Sequence, residues 1–114
     1  MILVNIGNIA QDFYLFKDST EKKEYEIRVG YNTLKLQIDS SNDSATIGMT
    51  VYGKTDDKQR YEKLMGFLDS EFKLKPSIDM LGIFSYDVLG YKKVKIVVDN
   101  TDSPISCHVV ETKE

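Results

Sequence analysis

The sequence predicts an all-β domain, two antiparallel sheets packed as a sandwich of jelly-roll or immunoglobulin-like kind, with room for one short helix. Three observations predict it. Apolar and polar residues alternate at spacing two through most of the 114 residues, the period of a half-buried strand. Turn-forming clusters recur at roughly eight- to twelve-residue intervals, as in a sandwich. A helical stripe occurs in one segment only. The length suits a single domain, residues 1–114, with one modest core.

Each element follows from that pattern. Ile2, Val4 and Ile6 share one face of a first strand. Phe13-Tyr14-Leu15-Phe16 is a continuous apolar run, either a strand buried on both faces or an exposed adhesive one. Asp18 to Glu24 is charged and reads as a loop. Tyr25, Ile27 and Val29 alternate with Glu26 and Arg28, and Gly30-Tyr31-Asn32 turns the chain into Leu34, Leu36 and Ile38. The polar cluster Asp39 to Ser44 is a turn. Ile47, Met49 and Val51 form the next strand, ended by Gly53.

In the segment from Asp56 to Leu68, residues Tyr61, Leu64, Met65 and Leu68 fall on one helical stripe, and Asp56 or Asp57 would cap it. Gly66 weakens a helix there by about 1 kcal/mol relative to Ala. The segment is therefore expected to be a loop with one helical turn. Phe72 and Leu74 make a short strand stopped by Pro76. Phe84, Tyr86 and Val88 form another, then Val94, Ile96 and Val98. A turn over Asn100 to Pro104 leads to Ile105, Cys107 and Val109, and the polar tail Glu111 to Glu114 is expected to fray.

Composition narrows the function. With a net charge of −3, the chain lacks the basic field that nucleic acid or an anionic membrane would select. Lys92, Lys93 and Lys95 form the one short basic run, read as a solvated strand face. The opening Met-Ile-Leu-Val-Asn-Ile is too short and uncharged for a signal peptide, and no stretch is long enough to span a membrane. The single cysteine, Cys107, allows no internal disulfide, which fits synthesis in a reducing cytoplasm.

No set of residues spells out catalysis. Cys107 sits between Ile105 and Val109 at strand spacing, so it reads as a buried thiol. His108 then points to the opposite face, toward solvent, and the two cannot act as a dyad. No zinc spacing occurs. Asp39, Asp43, Asp56 and Asp57 are loop carboxylates that fit no calcium-loop pattern. Asp87, just before Gly90, is expected to accept backbone hydrogen bonds in a turn. With no phosphate-cradling glycine loop and no nucleophile elbow, the expectation is a non-enzymatic domain without cofactor or metal. Tyrosines are numerous, and they serve equally as core residues, a sugar-stacking platform or a protein interface. Tyr52 is the clearest outward one, since Ile47, Met49 and Val51 claim the other face.

One stretch carries a resemblance. Gly82-Ile83-Phe84-Ser85-Tyr86-Asp87-Val88-Leu89-Gly90 is a Gly-aromatic strand ending in Asp-Val-x-Gly. With Leu34 to Ile38, Val51-Tyr52-Gly53-Lys54, Tyr61 with Leu64, Val94 to Val98 and Ile105 to Val109, it resembles a small β-sandwich module of tailed-bacteriophage virion proteins. The resemblance covers Leu34 to Val110 and departs from the module at Tyr61, where Trp is common. It implies a non-catalytic structural protein made in the host cytoplasm and located on the virion. Capsid decoration comes first, and a tail or baseplate accessory or a carbohydrate-binding module for host adsorption is the alternative. The implied partners are the major capsid or tail protein, copies of the same chain, or a glycan. Phe13, Tyr14, Phe16, Tyr31 and Tyr52 are the candidate binding residues, with Phe13 to Phe16 expected to dock the domain on a partner or on itself.

Overall fold

The computed structural model describes residues 8–113. The strand expected at Ile2, Val4 and Ile6 lies outside the described residues, as does Glu114. Ten strands follow in order: β1 (Ile9–Ser19), β2 (Glu24–Arg28), β3 (Thr33–Ser40), β4 (Ile47–Lys54), β5 (Glu62–Lys63), β6 (Gly66–Leu68), β7 (Lys73–Lys75), β8 (Gly82–Asp87), β9 (Lys93–Thr101) and β10 (Ile105–Thr112). They form a six-stranded sheet, β1-β10-β3-β8-β6-β7, and a four-stranded sheet, β2-β9-β4-β5. Every pairing is antiparallel.

The alternation read from the sequence sets the two inner faces. Leu34, Leu36 and Ile38 of β3, Phe84 and Tyr86 of β8, and Ile105, Cys107 and Val109 of β10 are buried from the large sheet. Ile47, Met49 and Val51 of β4 and Val94, Ile96 and Val98 of β9 meet them from the small one. Each such side chain contributes roughly 1.5–3 kcal/mol on leaving water. Ile78 extends the small sheet by one bridge, with Met49 N–H donating to its carbonyl at 2.9 Å and Ile78 N–H donating back at 2.8 Å.

Four expectations change. No helical turn forms between Asp56 and Leu68; the segment makes β5 and β6 instead. Leu64, Gly66 and Leu68 are buried while Met65 is exposed, so the true period is two. It is masked because the middle inward position is glycine, and the Tyr86 ring fills the space its side chain would take. β1 runs on to Ser19, which shortens the expected loop to residues 20–23. Phe72 has φ of 51° and belongs to the turn before β7.

The fourth change concerns the tail. Glu111 is 2% exposed. One carboxylate oxygen accepts from Gly30 N–H and Tyr31 N–H, each at 2.9 Å, and the other from Gln11 Nε2 at 2.7 Å. Successive backbone N–H groups converging on one anion form a small nest. This bond set ties the β2–β3 turn to β10 and to edge strand β1.

Candidate functional site

The outer face of the six-stranded sheet divides into a polar half and an apolar half. On the polar side, the register aligns Tyr14 of β1, His108 of β10 and Gln37 of β3 across neighbouring strands. The alternation that buries Cys107 turns His108 outward. The Tyr14 and His108 rings lie 4.8 Å apart, and Lys17 Nζ stands 4.3 Å from the Tyr14 ring centre. His108 Nε2 and Asp12 Oδ1 are 2.6 Å apart. Gln37 donates to Asp39 at 3.2 Å, and Ser106 Oγ accepts from Asp18 N–H at 3.0 Å. Tyr14, Lys17, Gln37, Asp39, Ser106 and His108 line a shallow cleft of about 330 Å³.

The apolar half lies at the other edge of the same sheet. Phe72 is 83% and Leu74 62% exposed. Phe67, paired with both Leu74 and Ser85, stands beside them, its ring 6.0 Å from Phe72. Asp69 borders this patch, accepting from Ser85 Oγ and pairing with Lys35, both at 2.8 Å.

The outer face of the four-stranded sheet is a tyrosine–lysine layer. Lys95 Nζ lies 5.3 Å from the Tyr52 ring centre and 4.8 Å from that of Tyr61, and Lys54 Nζ lies 4.7 Å from Tyr61. Such contacts hold flat aromatic surface beside a cation. The Tyr61 hydroxyl donates to Glu26. That bond holds the Glu26 carboxyl below its usual range, and burial followed by the same bond pushes the Tyr61 hydroxyl up. Lys93 and Lys95 pair with Asp57 at 3.6 Å and Glu24 at 3.5 Å.

The five residues singled out from the sequence do not meet in one place. Phe13 and Phe16 are half-buried on the inner face of β1, against the core, with Phe16 stacked on Tyr25 at 5.2 Å. Tyr14 is 53% exposed on the outer face of that strand. Tyr31 sits exposed in the β2–β3 turn with Lys113 Nζ 5.3 Å from its ring centre, and Tyr52 belongs to the opposite sheet. The sequence reading missed Lys17, Gln37 and Asp39 beside Tyr14, because only the β1–β10–β3 register brings them together. It missed the exposure of Phe72 and Leu74 because period two says which residues share a face, not which face is covered.

Two other side chains, Cys107 and Asp87, behave as their positions predict. Cys107 is buried, and burial pushes its thiol up to about 12. Asp87 accepts from Leu89 N–H at 3.1 Å in the turn before Gly90, whose φ is 89°. Among the described residues, no three His, Cys, Asp or Glu side chains come together as a metal site would require.

No family model matches the chain, and no curated protein matches its sequence. Among solved structures, it is similar to the crystal structure of the SPBc2 prophage-derived protein YomS. The TM-score is 0.77 at 20% sequence identity, over 90% of this chain and 91% of that one. The two share a fold.

Proposed function

We propose that the chain is a non-catalytic structural protein of a tailed phage, a capsid decoration protein that binds the assembled particle surface. The observation that carries this reading is the likeness of fold, over nine-tenths of both chains, to a prophage-derived protein. A domain of this size docks through side chains standing on rigid strands. The Phe67, Phe72 and Leu74 patch supplies exposed apolar area of the kind that marks a protein contact. Attachment at the tail or baseplate uses the same chemistry on a different partner.

The test is co-sedimentation of the purified chain with particles assembled without it. Binding to whole shells supports decoration, and binding confined to isolated tails moves the chain to the tail. Phe72→Ser with Leu74→Ser should weaken either binding while leaving the fold intact, because neither side chain is in the core. Failure to bind any particle component refutes the virion reading.

The Tyr14 cleft favours a second reading, a glycan contact. An exposed ring beside Gln37, Asp39, Ser106 and His108 offers both a stacking surface and hydroxyl partners. Sugar titration separates the two: a glycan site changes tyrosine fluorescence and shifts the His108 ring resonances, while a decoration protein ignores sugars.

A further inference from the structure

The register of the four-stranded sheet sets like charges side by side on its outer face. Arg28 of β2, Lys93 of β9 and Lys54 of β4 stand directly opposite one another across three neighbouring strands. Their chain neighbours Ile27, Val94 and Gly53 are buried, so the three cations project outward. Like charges directly across a ladder destabilise it. Among the described residues one carboxylate pairs with this row: Asp57 of the β4–β5 loop, 53% exposed, lies 3.6 Å from Lys93. Neither Arg28 nor Lys54 is in an ion pair with a described residue. The fold gains nothing from such a row, and it occurs on a chain whose net charge is −3.

The face already holds carboxylates one at a time. The Glu26 carboxyl is lowered first by its bond from Tyr61 and further by Lys93, Lys54 and Lys95, so three ammonium groups act where that carboxylate sits. Glu24 pairs with Lys95 at 3.5 Å and is 63% exposed. Exposed pairs of this kind are weak, and a carboxylate from outside can take their place.

We infer that this face binds an acidic, extended polypeptide segment of a partner, laid over β9 with successive carboxylates against Lys93 and Lys95. Those two lysines are two residues apart on one strand, about 6.6–6.8 Å. An extended segment presents every second side chain at that same repeat, with the residues between turned away. Arg28 and Lys54 flank Lys93 at one strand spacing each, about 4.8 Å, so the carboxylate placed there meets three cations. Tyr52 and Tyr61 lie beside Lys95 and offer ring surface to the aliphatic stem of a glutamate. β9 is an interior strand of its sheet, so the segment is held by side chains and needs no free sheet edge. The inference names the chemistry of the segment and not its owner, and it stands apart from the particle reading.

The test is titration of the full chain with a labelled decapeptide of alternating Glu and Ser, read by fluorescence anisotropy at low salt. The wild type should bind it, and raising the salt from about 20 to about 200 mM should weaken binding at least about tenfold. Arg28 is exposed and its side chain has no hydrogen-bond or ion-pair partner among the described residues, so Arg28→Glu should fold by circular dichroism. It should weaken binding at least about tenfold. Lys73→Glu changes the net charge equally but lies on the other sheet, and it should leave binding within about twofold of the wild type. No binding at low salt overturns the inference. So does a folded Arg28→Glu that binds as the wild type does, or a Lys73→Glu that weakens binding as much, since binding would then follow net charge alone. Dextran sulfate bound in preference to the peptide also overturns it, because the face would then select a sulfated polysaccharide and not an acidic polypeptide.

Discussion

Replacing Glu111 removes the carboxylate on which one end of the sandwich converges. Gly30 N–H, Tyr31 N–H and Gln11 Nε2 all donate to it, and the side chain is 2% exposed. Hydrogen bonds to a charged group contribute roughly 1.5–3 kcal/mol each, and an orphaned buried donor costs about 1–3 kcal/mol. Two backbone donors in a surface turn recover part of that from water. Glu111→Ala, which also leaves a small void, should therefore cost about 3–5 kcal/mol. Glu111→Gln keeps one oxygen for the two backbone N–H groups but turns an amide nitrogen toward the Gln11 donor. It should cost about 1–2 kcal/mol. Urea unfolding followed by far-ultraviolet circular dichroism measures both, and amide exchange at Gly30 and Tyr31 locates the effect. The reasoning is refuted if Glu111→Ala costs less than about 1 kcal/mol with an unchanged denaturant slope, or if those two amides exchange no faster.

Further outcomes follow from the same packing. A Cβ on Gly66 would stand 2.6 Å from the Tyr86 ring, so Gly66→Ala should cost about 1–3 kcal/mol through overpacking; a thermal melt matching the wild type would contradict this. Cys107 should resist iodoacetamide in the folded protein and react once urea unfolds it. Its thiol is raised from 9.0 to about 12, so the unfolded chain loses that proton first. Its contribution to stability is complete below about pH 9 and declines as the pH rises toward 12, and Cys107→Ala should flatten that decline. Tyr61→Phe removes the bond that lowers Glu26, so the Glu26 carboxyl should titrate at higher pH in a carbon-detected NMR experiment. Because that bond depresses the folded value, its contribution is present at neutral pH and fades as the pH falls through the Glu26 titration.

Much of the architecture was legible because it rests on alternation. Leu34, Leu36 and Ile38, or Val94, Ile96 and Val98, have one inward face, and no other arrangement of a strand buries them. The same alternation carries on past Ile105, Cys107 and Val109 to Glu111, so the inward position of that carboxylate was readable. The polarity of the residue argued against it, and only the β2–β3 turn shows what it binds. At Gly66 the inward residue is glycine because Tyr86 fills the space from the neighbouring strand, a contact between positions far apart in the chain. Tyr61, Leu64, Met65 and Leu68 therefore mimicked a helix.

Candidate surfaces were less legible for a related reason. Phe13, Tyr14 and Phe16 are adjacent in sequence, yet the strand sends the two phenylalanines inward and the tyrosine outward. Tyr31 and Tyr52 fall in a turn and on the opposite sheet. What surrounds each is decided by strand order, and strand order is a long-range property that a local pattern does not carry.

The most direct measurement of the central claim is the amount of this chain in purified phage particles, by quantitative mass spectrometry against the major capsid protein. Capsid decoration predicts a fixed proportion to the capsid subunits, comparable with the number of lattice sites. A handful of copies per particle would contradict decoration and move the chain to the tail or baseplate, and its absence from particles would contradict the virion assignment altogether.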